Sequence, residues 1–265
     1  ILLNKIFPLK GELCNQQDFQ RVYEGSNEER DKIYEITKTC FINQGVIFFG
    51  GYAASLYGKY MPHKEKKIIN SVPDFDILAN DPLQTVNILK EQLNYEGYKN
   101  VKIYKKPNIS DYVDIHYEVI VNKDTIAIVY KADACHSYNQ IFIGPQKIKV
   151  ASIDTMLYFY LIFIYANRPY FDVNRLLCMS EYLFKVQLKN RLQQKGLLRR
   201  FSTNCYGKQT TLEDIRSYKS KKFKEFKEKN VKRGSFEYQK HFLRYVPNEN
   251  TKDYKEKFGF KKTKK

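Results

Sequence analysis

Hydrophobic and polar positions follow two patterns along the chain, and the change falls near residue 150. Before it, short apolar runs rich in β-branched and aromatic residues alternate with segments whose apolar positions recur at helical spacing. After it, two long segments keep the helical spacing alone. Alternating strands and helices are typical of a sheet with helices packed on it. The pattern therefore predicts an α+β domain with a mixed or antiparallel sheet covered by helices, followed by a helical region.

Turn and capping signals divide both parts into individual elements. The Asn-Asp-Pro sequence at residues 80–82 is typical of a helix start, and Asn-Lys-Asp at residues 122–124 predicts a hairpin turn. Arg-Pro at residues 168–169 separates the two late helices. The predicted strands are residues 46–49, 74–79, 100–105, 112–121 and 125–131, and the predicted helices are residues 33–43, 52–60, 83–93, 152–167 and 172–195.

The chain reads Phe-Phe-Gly-Gly at residues 48–51, where a predicted strand meets a predicted helix. Gly50 and Gly51 let the backbone turn tightly and approach a phosphate without obstruction by a side chain. The first turn of the helix offers unpaired N–H groups to the same anion. A Gly-Gly pair by itself is more often a structural turn, so its meaning depends on the motif that follows.

Two carboxylates occupy alternate positions of the next predicted strand, in the sequence Pro-Asp-Phe-Asp at residues 73–76. Residues i and i+2 of a strand point to the same face, so Asp74 and Asp76 are expected close to each other. Like charges at short distance repel unless a cation lies between them, and Mg²⁺ prefers carboxylate and phosphate oxygens. The alternative is a solvated edge strand or a turn after the proline.

The glycine turn, the helix and the Asp-x-Asp strand together have the arrangement of the nucleotidyltransferase fold. The strings FFGGYAASLYGKYM, PDFDILANDP and VASIDTMLYFYL resemble the catalytic polypeptide of poly(A) polymerases from poxviruses and related large cytoplasmic DNA viruses. The resemblance extends from about Asp18 to Arg191 and fades in the tail. It implies a polymerase β-like mixed sheet and the transfer of AMP from ATP to an RNA 3′ end in viral mRNA processing.

The resemblance also assigns site residues. It implies that Asp74 and Asp76 are catalytic and bind two divalent cations, Mg²⁺ or Mn²⁺, as in other two-metal transferases. Gly50, Gly51 and the hydroxyl of Ser55 would contact the triphosphate of ATP.

A third carboxylate is expected on a later strand, and this chain departs from the family there. The matching strand is residues 125–131, and the aligned position is Ala127. Three explanations stay open: an engineered Asp-to-Ala inactivation, a naturally inactive subunit, or an error of register with Asp124 or Asp133 as the carboxylate. A missing third ligand would impair the chemical step more than nucleotide binding.

The net charge indicates the class of partner. A formal charge of +17 favours polyanions, which agrees with an RNA 3′ end and ATP as partners. The strongest apolar run, residues 156–166, is too short for a bilayer core of about 30 Å, which needs roughly 20 residues, so no membrane association is expected. The resemblance implies a cytoplasmic protein of a viral factory or virion, with a homodimer or a processivity subunit as further partners.

Composition suggests four regions. We expect an N-terminal helical segment (residues 1–44), a catalytic domain (45–150), a helical domain (151–198) and a basic tail with an RNA-binding role (199–265). Five scattered cysteines without a Cys-x-x-Cys pair predict reduced thiols. Two other functions stay open: a non-catalytic RNA-binding or scaffold subunit that keeps the fold, and a nucleotidyltransferase acting on another acceptor such as an antibiotic or tRNA.

Overall fold

The structure, a computed structural model, describes residues 27–60, 74–109, 113–166, 171–200, 202–208 and 210–242. The start of the predicted N-terminal segment, the basic stretch before Asp74 and the terminal lysines lie outside these ranges. The chain divides into two compact units, of which the first ends at Lys208 and the second begins at Gln209.

A mixed sheet forms the centre of the first unit. Its strands are β1 Ile47–Phe49, β2 Phe75–Ala79, β3 Val101–Lys106, β4 His116–Val121, β5 Asp124–Lys131, β6 His136–Ile143, β7 Gln146–Ala151 and β8 Cys205–Tyr206. These eight strands of the described residues follow the order β3-β4-β5-β2-β1-β7-β6-β8. β2 pairs with β5 and β1 pairs with β7 in parallel, and the other described pairs are antiparallel. The mixed α+β sheet predicted from the sequence is confirmed.

Helices cover the sheet on both faces. Those of the first unit are α1 Asn27–Gln44, α2 Gly50–Tyr57, α3 Pro82–Tyr95, α4 Ile153–Ala166 and α5 Val173–Lys189. The two faces differ in the helix they contact. On one face, the ring of Phe75 packs on Tyr34 of α1; on the other, the rings of Phe49 and Tyr130 pack on Phe159 of α4. Because both faces are buried, β1 and the centre of β2 are almost wholly apolar.

The short strand β8 was not predicted from the sequence, and neither were the two longer strands β6 and β7. Their apolar residues alternate with polar ones, as in Gln-Lys-Ile-Lys-Val-Ala of β7, and only part of that pattern is buried. β7 nevertheless lies beside the central strand β1, because Ile148 and Val150 are buried in the core. The late helices are shorter than predicted: α5 ends at Lys189, and the side-chain amide of Asn190 bonds the carbonyl oxygen of Val186.

The cysteine prediction is wrong for Cys135, Cys178 and Cys205, which are disulfide-bonded. Cys135 and Cys205 form a disulfide, with their Cα atoms 5.2 Å apart. The antiparallel pairing of β6 with β8, in which His136 lies opposite Tyr206, brings the two residues together from 70 positions apart. Cys40 is a buried free thiol. As for membranes, the described residues contain no helix that is both long enough and apolar enough to cross a bilayer.

Candidate active site

A cleft of about 150 Å³ lies between the sheet and the helices α4 and α5. Its lining combines a glycine pair, four carboxylates, a wall of aromatic side chains and an arginine. The lining residues are Gly50, Gly51, Asp74, Asp76, Lys106, His116, Glu118, Ile128, Tyr130, Tyr160, Phe163, Phe171, Asp172, Arg175, Leu176 and Met179.

Gly50 lies directly against the carboxylate of Asp76. The antiparallel pairing of Phe49 with Asp76 brings the end of β1 beside the start of β2. A Cβ atom added at Gly50 would lie 2.6 Å from Cγ and 2.7 Å from Cβ of Asp76. Gly50 also has φ +64°, in the left-handed region that favours glycine. Any other residue at this position would displace the carboxylate, so the glycine is needed for the close approach of the start of α2 and Asp76.

The first turn of α2 lines the same cleft as the carboxylates of Asp74 and Asp76. The residue before the helix, Phe49, is extended and its side chain makes no capping hydrogen bond. The first N–H groups of a helix have no partner inside the helix, and they bind anions well. Gly50 and Gly51 form the start of this turn, so a phosphate can approach the backbone there.

Asp74 and Asp76 lie in the same cleft, as their alternate positions predicted. Asp74 is buried and precedes β2, whereas Asp76 is half-buried within the strand. Two carboxylates at the end of a glycine turn can hold a divalent cation that also binds substrate oxygens.

The register of β5 does not bring Ala127 to the cleft. Ala127 pairs with Phe75, which faces α1, whereas Asp76 pairs with Ile128. Registered neighbours share a face of the sheet, so the position beside Asp76 is Ile128, one residue away from the alignment made on sequence. Ala127 therefore does not line the cleft, and the residue of β5 that does, Ile128, is apolar.

The two fallback carboxylates also lie elsewhere. Asp124 starts β5 and pairs with Val121 in the hairpin, and neither it nor Asp133 lines the cleft. Asp133 instead contacts the ring of His136, with Oδ1 3.3 Å from Nε2. Within the part of the chain that the structure describes, no three acidic, histidine or cysteine side chains form a group suited to a metal ion.

A carboxylate that was missed in the sequence lies one strand further on. Glu118 pairs with Ile128 and therefore shares the face of Asp76, and it lines the cleft. Its Oε2 is 2.8 Å from Nζ of Lys106, and its Oε1 accepts a hydrogen bond from the hydroxyl of Thr125. The alternation of His116 and Glu118 in β4 was the available signal, but only the pairing of strands shows which face they share.

Four rings form the aromatic wall of the cleft. The His116 ring stacks on Tyr130 at 4.8 Å between centroids, Tyr130 contacts Phe163 at 5.6 Å, and Phe163 stacks on Phe171 at 4.5 Å. Nδ1 of His116 donates to the carbonyl oxygen of Asp114 at 3.3 Å, since a carbonyl only accepts. Burial lowers the pKa of His116, so the ring is neutral at pH 7 and its Nε2 is an acceptor.

Tyr160 and Arg175 complete the side of the cleft formed by α4 and α5. Tyr160 is 4% exposed, and its hydroxyl has no hydrogen-bond partner. Burial raises the pKa of this hydroxyl, the negative charge of Asp76 raises it further, and the positive charge of Arg175 lowers it. The hydroxyl therefore stays protonated and lies in the electrostatic field of both charges.

Ser55, which was predicted to contact phosphate, does not line the cleft. Its hydroxyl donates to the carbonyl oxygen of Tyr52 at 2.7 Å, within α2. The hydroxyl is therefore bound by the backbone of its own helix.

The second unit is a basic helical pair. Its helices are α6 Leu212–Glu228 and α7 Phe236–His241. α6 begins with a capping box between Thr211 and Asp214 and then carries exposed lysines on most of its surface. Phe226 is buried, and its ring centroid lies 5.8 Å from that of Tyr238 in α7. Tyr218 and Phe223 are exposed.

No family model and no curated protein matches the chain. Among solved structures, it is similar to the one titled "Crystal structure of the Megavirus polyadenylate synthase", at 19% sequence identity and a TM-score of 0.47, over 85% of this chain and 43% of that chain. It is also similar to ANT(2")-Ia in complex with adenylyl-2"-tobramycin, at 13% identity and a TM-score of 0.34, over 63% of this chain and 97% of that chain.

The first of these is a viral polyadenylate synthase, the class of protein that the three sequence strings resemble. This chain spans less than half of that protein's length. At such distances the likenesses carry no argument about activity, which has to be argued from the cleft.

Proposed function

We propose that this chain is a metal-dependent nucleotidyltransferase that transfers AMP from ATP to the 3′-hydroxyl of RNA. The observation that supports it most directly is the contact between Gly50 and Asp76, in a cleft that Asp74 also lines. This contact joins a backbone site for phosphate oxygens to a carboxylate site for a cation. Phosphoryl transfer needs both at one place, because its catalysis is mainly positional and electrostatic.

The donor set fits Mg²⁺ or Mn²⁺. These cations accept one or two carboxylates and complete their coordination with water and substrate phosphates, so the pair Asp74 and Asp76 suffices for binding. Bound there, the cation would neutralise charge on the phosphates and lower the pKa of the attacking hydroxyl.

The remaining residues of the cleft would bind and orient ATP. The N–H groups at Gly50 and Gly51 would bind phosphate oxygens, and Arg175 adds a cation to the lining of the cleft. The base would lie against the rings of Tyr130, Phe163 and Phe171, since aromatic faces stack on any base. The acceptor Nε2 of His116 would favour a base edge that carries an amino group, as adenine does.

The acceptor is proposed to be RNA on the ground of charge. The formal charge of +17 suits a polyanion better than a small antibiotic. The second unit offers exposed lysines with Tyr218 and Phe223 among them, which is the combination that single-stranded nucleic acid binds. An assay that offers an RNA primer, tRNA and an aminoglycoside in parallel would separate the acceptors.

The test of the proposal removes the carboxylates one at a time. Asp74→Asn and Asp76→Asn keep the side-chain size, and we expect AMP incorporation into an RNA primer to fall on the order of 10³-fold or more. Glu91→Gln, an exposed acidic residue of α3 outside the cleft, is the matched control and should retain full activity. Tailing by the Asp74 variant at the wild-type rate would refute the assignment.

A second candidate function is a non-catalytic subunit with this fold. The apolar Ile128 beside Asp76 favours it, because the third carboxylate expected at that place is missing. Such a subunit would bind ATP and RNA but incorporate no AMP. Isothermal titration with Mg²⁺ and ATP, run beside the primer assay, distinguishes it from the enzyme.

A further inference from the structure

Tyr160 is an exception among the polar groups of the cleft. Among the described residues, only its hydroxyl and that of Thr37 are buried side-chain groups without a hydrogen-bond partner. A buried, unpaired hydroxyl lowers stability, and native structures satisfy nearly all such groups. Thr37 lies in α1 and does not line the cleft, whereas Tyr160 does.

The surroundings of the hydroxyl indicate the charge of its missing partner. Asp76, which is proposed to hold the cation, and Arg175 line the same cleft as the hydroxyl, and both act on it electrostatically. A group that lies between a bound divalent cation and a guanidinium is favoured when it is anionic. The hydroxyl is held protonated, so it offers a donor to that group.

We propose that the hydroxyl of Tyr160 donates a hydrogen bond to a phosphate oxygen of the bound nucleoside triphosphate and is satisfied only in that complex. This inference rests on the proposed function, since it takes the cleft as the triphosphate site. Tyr160 is thus a binding residue whose hydroxyl is unsatisfied in the free protein and whose partner is supplied by the substrate.

The inference makes two predictions of opposite sign for Tyr160→Phe. The variant keeps the ring and removes only the unpaired group, so the ligand-free protein should unfold at a temperature roughly 2–4 °C higher than the wild type. The same variant should bind ATP with Mg²⁺ about 10- to 100-fold more weakly, because hydrogen bonds to charged groups are the stronger ones.

Thr37→Val is the matched control. It removes the other buried, unpaired hydroxyl, replaces it with a methyl group, and lies away from the cleft. It should likewise raise the unfolding temperature but leave the affinity for ATP unchanged. The comparison separates relief of an unsatisfied group, which both variants share, from loss of a ligand contact, which only Tyr160→Phe produces.

Three ligands identify the atom that the hydroxyl meets. ATP, 2′-deoxy-ATP and tripolyphosphate, each with Mg²⁺, are titrated into wild type and Tyr160→Phe by calorimetry. An equal fold-loss for all three supports a phosphate contact. A loss for ATP that is absent for 2′-deoxy-ATP or tripolyphosphate would assign the hydroxyl to the sugar and overturn the inference.

The same titrations distinguish a failure of this inference from a failure of the proposed function. If wild type and Tyr160→Phe bind all three ligands equally well, the proposed role of the hydroxyl is wrong. The nucleotidyltransferase proposal then still stands. If the wild-type protein binds none of the three ligands, both the role of the hydroxyl and the proposed function are wrong.

Discussion

The two units of this chain use charge in different ways. In the cleft of the first unit, the charge of Glu118 is partly buried and is held by Lys106 and Thr125. In the second unit, charges lie on an exposed helix: Lys229, and then Lys222, lower the pKa of Glu225 to about 2, although all three are accessible to water. Exposed pairs of this kind contribute little to stability because water and salt screen them.

This difference between the two units predicts where the effect of a substitution should depend on its exact position. In the cleft, a shift of one residue or one methyl group changes the face, the contact or the charge that a substrate meets. On the basic helix, one lysine can replace another, since long-range attraction depends on the sum of charges. The effect of a substitution in the cleft should therefore depend strongly on its position. The effect of substitutions on the basic helix should depend only on the number of lysines removed.

The largest effect is expected from a carboxylate placed on either side of β5. Ala127→Asp would bury an unpaired charge on the face of Phe75, with a loss of about 3–5 kcal/mol in the free energy of unfolding. Ile128→Asp would lie beside Asp76 in the half-buried cleft, where a cation can bind it.

Urea unfolding with and without Mg²⁺ measures this difference between neighbouring positions. We expect Mg²⁺ to stabilise Ile128→Asp by at least about 1.4 kcal/mol more than it stabilises wild type, and to leave Ala127→Asp unrescued. Rescue of the 127 variant by Mg²⁺ would show that the strand has the other register.

The second-largest effect is expected for Gly50→Ala. The added methyl group meets the Asp76 carboxyl and the backbone has φ +64°, so we expect AMP transfer to fall about 100-fold, which corresponds to about 2.7 kcal/mol. Gly144→Ala is the control, because Gly144 has φ +58° and open space around it. It should cost only the backbone strain, about 1–2 kcal/mol of stability, and leave the rate of AMP transfer unchanged.

The pH dependence of stability gives a smaller effect. Burial lowers the pKa of His116 below its ordinary value near 6.5, so the unfolded chain binds the proton more readily than the folded one. Stability is therefore complete above about pH 6.5 and falls as the pH drops towards the folded pKa, by at most about 1.4 kcal/mol per pH unit for one proton. The charges that face the ring are Lys106 and Glu118, which act in opposite directions.

Urea unfolding at pH 7.5 and 5 measures this loss in wild type and in His116→Gln. The variant cannot take up the proton and should lose less stability on acidification. The same loss in both proteins would mean that His116 is not the group responsible.

The smallest effect is expected on the basic helix. Lys219→Ala with Lys224→Ala removes two exposed cations, and the slope of log affinity for single-stranded RNA against log salt should become shallower by roughly one unit per lysine. Moving the pair to Lys221 and Lys227 should give the same change. A marked difference between the two double variants would show position-dependent recognition on this helix, and the comparison made above would be wrong.

Part of the site was predictable because its signals are local. Gly50 and Gly51 lie at a strand-to-helix turn, and Asp74 and Asp76 lie two residues apart at the start of β2, so local patterns identified each pair. The resemblance to the nucleotidyltransferase arrangement predicted that the two pairs share one cleft, and they line the same one. The mixed sheet followed from the same alternation. The strands β6 and β7 did not, because their alternation is mixed with lysines and polar residues and their burial comes from elements far along the chain.

The other residues of the site could not be found in this way. Ser55 turns back to its own helix, and position 127 shares the face of Phe75 and does not line the cleft, although both were reasonable from the local pattern. Glu118, Tyr160 and Arg175 reach the cleft from three separate elements, and no spacing in the sequence connects them.

The sequence by itself determined the types and approximate limits of the elements, the glycine turn, and the shared face of the two aspartates. These depend on the repeat of one helix or one strand, which a short stretch of chain specifies. Only the tertiary structure decided which strand lies beside Asp76, which of residues 127 and 128 faces the cleft, and which helix closes it. Strand register and helix packing are set by long-range burial, in which a slip of one residue reverses every side chain of a strand.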